Sequence, residues 1–84
     1  MQGDLVIVRA YGGKPLVRRI WAEDETGIYI TDDNQLKRLI AGKSAIPPIG
    51  FPKEDVFKYD PSLAAAIDDV SGNGGWDWNK LTPF

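Results

Sequence analysis

The chain contains no cysteine and no histidine among its 84 residues. Without cysteine there are no disulfides, no thiolate metal ligands and no thiol nucleophile. Without histidine, the commonest neutral-pH acid–base group and the commonest metal ligand are both missing. Long apolar runs are absent too, since none approaches the roughly 18 residues that a membrane span needs. The opening MQGDL has neither the basic flank nor the apolar core of a signal peptide. A cytoplasmic protein without membrane attachment, cofactor or metal is the expectation. Nor is there a strong charge of either sign: ten Lys and Arg stand against twelve Asp and Glu, a net charge of -2. The balance is uneven along the chain. Residues 1–46 carry seven basic and six acidic side chains, whereas residues 47–84 carry three and six. The first half is near neutral and the C-terminal third is acidic.

What remains for catalysis is carboxylates, hydroxyls and lysines. Asp32-Asp33 is the nearest thing to a carboxylate pair, but adjacent residues at a helix start do not face each other. Their simpler role is capping and complementing the helix dipole. Neither Asp32-Asp33-Asn34 nor Glu23-Asp24-Glu25 has the spacing of a calcium loop. The chain therefore reads as non-catalytic, and Glu23-Asp24-Glu25 as a solvated hairpin tip.

The organising stretch is Gly3 to Thr31, with three runs rich in Val, Ile, Trp and Tyr. Gly12-Gly13 and Asp24-Glu25-Thr26-Gly27 separate them, the pattern of a three-stranded antiparallel meander. The first strand covers Asp4 to Tyr11, with Val6 and Val8 turned to the core, and both its faces are apolar near the start. The second covers Leu16 to Glu23 and the third Ile28 to Thr31. An even-numbered hairpin loop, the preferred register, puts Val17, Arg19 and Trp21 on the face of Val6 and Val8. An odd loop with a bulge inverts the set, because one residue of slip flips every side chain.

The period then changes. Leu36, Leu39 and Ile40 have helical i, i+3, i+4 spacing, with Asp32 as N-cap, Gln35 completing a capping box and Gly42 beyond the end. Ser44-Ala45-Ile46 is expected as a fourth strand, ended by Pro47-Pro48. Pro52 presets one helical turn over Lys53 to Asp55, and Val56 to Tyr59 forms the last strand. Asp60-Pro61 opens a second helix whose apolar stripe is Leu63, Ala66, Ile67 and Val70. Ser71 to Gly75 is a Gly-rich break before the tail WDWNKLTPF.

The segment GDLVIV is similar to the Gly-Asp-x-Val-x-Val opening strand of SH3-like small barrels. Three meander strands, an interruption, a short strand, a Pro-initiated turn and a final strand (FPKEDVFKY) resemble that family as well. The resemblance spans about residues 3 to 59 and is one of fold. It implies a mainly β, five-stranded antiparallel barrel, here with a short inserted helix, a short C-terminal helix and an aromatic tail. The capped helix at 32–41 departs from the simplest version of the fold. The aromatic and acidic groove of peptide-binding SH3 domains is not present, so no family residue roles carry over.

The corresponding division is 1–60 for the barrel, 61–71 for the C-terminal helix and 72–84 for the hinge and tail. Strand and cap signals are complete by about residue 71, so the barrel is expected to stand without the tail. Arg9, Arg18 and Arg19 with Tyr11, Trp21 and Tyr29 are the candidate binding surface. Such a basic and aromatic face fits single-stranded nucleic acid, although a net negative chain argues against it. Arg9 and Arg18 can equally snorkel over the sheet rim or pair with Glu23 and Asp24. Trp76, Trp78, Leu81 and Phe84 of the tail either fold back on the barrel or engage a partner. The favoured function is a small protein-interaction module, binding a protein partner or a second copy through the tail. The alternative is a nucleic-acid-binding barrel.

Overall fold

Val6, Ile7 and Val8 have no solvent exposure, and the sheet is arranged around them. In the computed structural model, which describes residues 2–67 and 76–84, they lie in β1 (Leu5–Arg9). The other strands are β2 (Pro15–Glu23), β3 (Ile28–Thr31), β4 (Ile49–Phe51) and β5 (Val56–Lys58). All pairings are antiparallel and the order is β4-β3-β2-β1-β5, so β1 is interior. The protein is mainly β, with a five-stranded sheet and a few short helices. Among the described residues β4 and β5 are not paired with each other, and the sheet is open.

The register of the first hairpin corrects the even-loop expectation. Arg9 pairs with Pro15 and Val8 with Leu16, leaving a five-residue loop, 10–14. Tyr11–Gly13 form a 3-10 turn in which Gly12 and Gly13 have φ of 74° and 77°. Only glycine adopts two such values in succession without strain. The loop is closed by the Ala10 N–H donating to Lys14 O at 2.8 Å. Leu16 and Ile20 therefore join Val6 and Val8, whereas Val17 and Arg19 lie on the face of Ile7. Trp21 is the extra residue of a bulge, where pairing with β3 shifts between Ile20 and Ala22.

Two apolar clusters cover the two faces. The first contains Val6, Val8, Ile20, Ile28, Ile30 and Val56, with Leu16 and Phe51 packed against it. The second contains Ile7, Phe57 and Leu81, with Val17, Leu63, Ile67, Trp76 and Trp78 around it. At roughly 25 cal/mol per Å² of apolar surface removed from water, these clusters are the main stabilising contribution.

Helix α1 (Asp33–Ile40) starts as its cap predicts, with Asp32 Oδ1 accepting the Gln35 N–H at 2.8 Å. The capping box is only half formed. Gln35 Oε1 instead accepts the Ile46 N–H at 2.7 Å, and Arg38 Nε donates to Ser44 O at 2.5 Å. These bonds hold Ser44–Ile46 against α1, so the fourth strand is not there. It forms after Pro47-Pro48, at Ile49–Phe51, where two glycines make room for it. A β-carbon at Gly27 would lie 2.5 Å from Phe51 O, and one at Gly50 3.1 Å from the Tyr29 ring. Gly27→Ala should therefore displace β4, costing about 1–3 kcal/mol. Loss of protection in hydrogen exchange confined to the β3–β4 amides would show it, and unchanged exchange there would contradict the close approach.

The second helix, α2, is short, Pro61–Ala64, with Asp60 Oδ1 accepting the Ser62 and Leu63 N–H groups. Ala64 packs with Leu63 and Ile67, and Ala66 is exposed, which corrects the expected stripe. Val70 and the Gly-rich break fall outside the described residues.

The tail continues the sheet. Lys58 N–H donates to Thr82 O at 2.8 Å and Phe84 N–H to Val56 O at 3.1 Å, with Pro83 opposite Phe57. Leu81 is 6 % exposed. Thr82 and Phe84 thus bond inward to β5, and Pro83 faces outward without an N–H to offer.

Candidate functional site

The six residues of the expected binding surface are not brought together. Tyr11 is fully exposed at the tip of the β1–β2 turn. Trp21 is half-buried in its bulge, and Gln2 Nε2 donates to its carbonyl at 3.3 Å. The Tyr29 hydroxyl donates to Asp24 Oδ2 at 3.0 Å, and its ring lies across Gly50. Arg19 Nε binds Asp33 Oδ1 at 2.6 Å and Nη1 donates to Gly3 O, tying β2 to the start of α1. Arg18 alternates to the face of Val6 and Val8, and its Nη1 donates to the Val17 carbonyl at 2.8 Å. Arg9 pairs with Asp55, not with Glu23 or Asp24, at 3.0 Å, and donates to Glu54 O. Its guanidinium also lies 5.3 Å from the Phe57 ring centroid and 5.4 Å from that of Trp78.

Arg9 is thus a fixture of the docked tail. Trp78 stacks at 5.0 Å on Phe57, meets Trp76 edge-on at 5.5 Å, and donates its indole N–H to Gly13 O at 3.2 Å. Asp77 caps the 3-10 turn Trp78–Lys80 by accepting the Asn79 N–H. Leu81 completes the second cluster, and Phe84 is left 40 % exposed at the rim. Trp76 and Trp78 are thus occupied within the chain itself.

The β2–β3 tip is held by Asp24. Its carboxyl accepts from the Thr26 hydroxyl and N–H, the Tyr29 hydroxyl and the Gly27 N–H. These bonds, with the Thr26 hydroxyl foremost, lower its pKa from 3.8 to about 2. A carboxyl that titrates lower in the folded state stabilises above its unfolded value and less so as pH falls through the folded one. The turn should therefore loosen on acidification from about pH 4 towards pH 2. A shift of the Gly27 amide resonance with a midpoint near 2 checks this, and a midpoint at the ordinary aspartate value would contradict it.

An apolar groove opens instead beside β4. It has a volume of about 230 Å³ and is lined by Ile30, Ile46, Pro47 and Ile49 with Arg18 and Gln35. Ile46 and Ile49 are 65 % and 61 % exposed, beside a strand that has a neighbour on one side only among the described residues. Backbone geometry accounts for this. A segment carrying Pro47-Pro48 cannot complete a ladder, so the two isoleucines flanking the prolines are left uncovered. Residues 34–53, from the second residue of α1 to the first of the 3-10 turn, carry Lys37, Arg38, Lys43 and Lys53 and no acid, between Asp33 and Glu54. Lys37, Arg38 and Lys43 make no ion pair among the described residues. The Ile-Pro-Pro-Ile run and the acid-free stretch are the two signals by which this site is legible in the chain.

No three His, Cys, Asp or Glu side chains gather as a metal site among the described residues. No helix among them is long and apolar enough to cross a membrane. No family model, curated protein or solved structure matches the chain.

Proposed function

We propose that the chain is a small, non-catalytic, cytoplasmic protein-interaction module of SH3-like barrel type, and that the β4 groove is where it meets its partner. The observation that carries the reading is the pair of exposed isoleucines beside a strand edge that is unpaired among the described residues. Apolar surface of this kind, rimmed by polar groups, marks interaction sites. The barrel part is supported by the strand order and by the 3-10 turn Lys53–Asp55 between β4 and β5. It is also supported by the first cluster, which joins Ile28 and Ile30 to Val56. On a flat sheet β3 and β5, three spacings apart, are separated by about 14 Å. Curling lets their fully buried side chains share one core.

A photo-crosslinker at Ile46, with Ala65 as the control position, tests the function in the source cell. The expected result is one discrete adduct from position 46 that disappears in Ile49→Glu. Equal labelling from both positions, or none, would overturn the reading. The nucleic-acid alternative is tested by fluorescence anisotropy with single-stranded DNA and RNA at low salt, where a basic-track binder is at its tightest.

A further inference from the structure

The surroundings of the β4 edge restrict what can lie on it. Its backbone has β3 on one side and no strand on the other among the described residues. The opposite edge of the sheet differs, since the tail covers β5 and turns Pro83 outward. Among the described residues strand addition therefore has one place to occur, beside Ile49–Phe51. The apolar floor and wall, Ile30, Ile46 and Ile49, take a branched or straight aliphatic side chain.

The groove lining holds one cation, Arg18, and the chain leading to Ile46 adds Lys43 and Arg38, whose Nε donates to Ser44 O. Residues 34–53 carry four cations and no acid, in a chain whose net charge is -2. Among the described residues Arg18, at the groove, has only its neighbour's carbonyl as hydrogen-bond acceptor. One acid, Asp32, shares the lining, and its Oδ1 is engaged by the Gln35 N–H. A second copy of the chain paired edge to edge about a two-fold axis would bring the same cations against themselves, and like charges in register repel. Nucleic acid would satisfy the cations, but base stacking needs aromatic faces. The groove has none, its exposed apolar residues being isoleucines.

We infer that the β4 edge takes an extended peptide of a partner protein, in which acidic residues flank an aliphatic one, added as a strand beside Ile49–Phe51. This rests on the interaction-module reading. Backbone pairing supplies the orientation, the groove supplies the aliphatic subsite, and Arg18, Arg38 and Lys43 select the acids.

Panning a random peptide library on the full chain tests it. The expected outcome is enrichment of sequences with Asp or Glu beside Val, Ile or Leu. Such a peptide should shift the Ile49, Gly50 and Phe51 amide resonances. Its affinity should fall with salt in the wild-type chain, and about fivefold when Arg38→Glu and Lys43→Glu are combined. Enriched peptides that lack acids, or that bind away from β4, overturn the inference and leave the interaction module standing. No enrichment at all, together with no crosslink from position 46, overturns both. A concentration-dependent dimer that shifts the same three amides, or single-stranded DNA binding there as tightly as the peptide, replaces the peptide with that occupant.

Discussion

Val8→Asp is expected to leave the protein largely unfolded at neutral pH. Val8 has no exposure and is paired with Leu16 on one side and Val56 on the other. The cluster around it, Val6, Ile20, Ile28, Ile30 and Val56, contains no polar side chain. A carboxylate there would have no partner. Burial of an unpaired charge is among the few causes of single-site losses above about 4 kcal/mol. A domain of this length has about 5–10 kcal/mol to lose. Val8→Ala, by contrast, should keep a cooperative melt and cost about 1–3 kcal/mol through lost burial and a cavity. Far-UV circular dichroism with urea titration distinguishes the two. A cooperative, wild-type transition in Val8→Asp would place residue 8 outside the core.

The second large effect is expected from the tail. Trp78→Ala removes a ring from Phe57, a hydrogen bond to Gly13 O and the surface under Arg9. Trp78 is half-buried, so the cost should be about 3 kcal/mol, at the low end for truncating a core aromatic. A double-mutant cycle with Arg9→Ala should show a coupling of about 1 kcal/mol from the guanidinium over the ring. Trp76 provides the contrast, because its buried indole N–H has no partner among the described residues. Trp76→Phe removes that unsatisfied donor and should cost less than Trp78→Phe, which loses a made bond. Equal losses at the two positions, or zero coupling with Arg9, would contradict the docked arrangement. Blue-shifted emission from Trp78 is the accompanying spectroscopic signature.

Local chemistry made some of this legible in the chain. Asp32 and Asp60 are caps where their spacing from the following turns says so. Val6 and Val8 are core because β1 is apolar in alternation on both faces. Pro52 precedes the 3-10 turn it presets. The misjudged features depended on competition between partners. Gln35 had two donors to choose from, its own helix start and the distant Ile46 N–H, and spacing cannot rank them. That bond, with the one from Arg38 to Ser44 O, holds 44–46 against α1, and the fourth strand lies five residues on, at 49–51. The hairpin register turned on two glycines adopting left-handed values together, which inverted Val17 and Arg19. The candidate site was hidden for the same reason. Composition draws attention to Arg9, Arg19 and Tyr29, yet each is engaged by an acid, Asp55, Asp33 and Asp24 respectively. The uncovered residues, Ile46 and Ile49, look like ordinary core when read one at a time.

Pro83 has a consequence for assembly. A sheet with two receptive edges is a monomer for linear polymerisation, since each addition creates a new end. Here one end is finished by a residue that has no N–H to donate outward. Copies stacked head to tail, β4 of one on the tail of the next, would therefore meet Pro83, so the edges seen among the described residues do not make the sheet a repeat unit for a fibre.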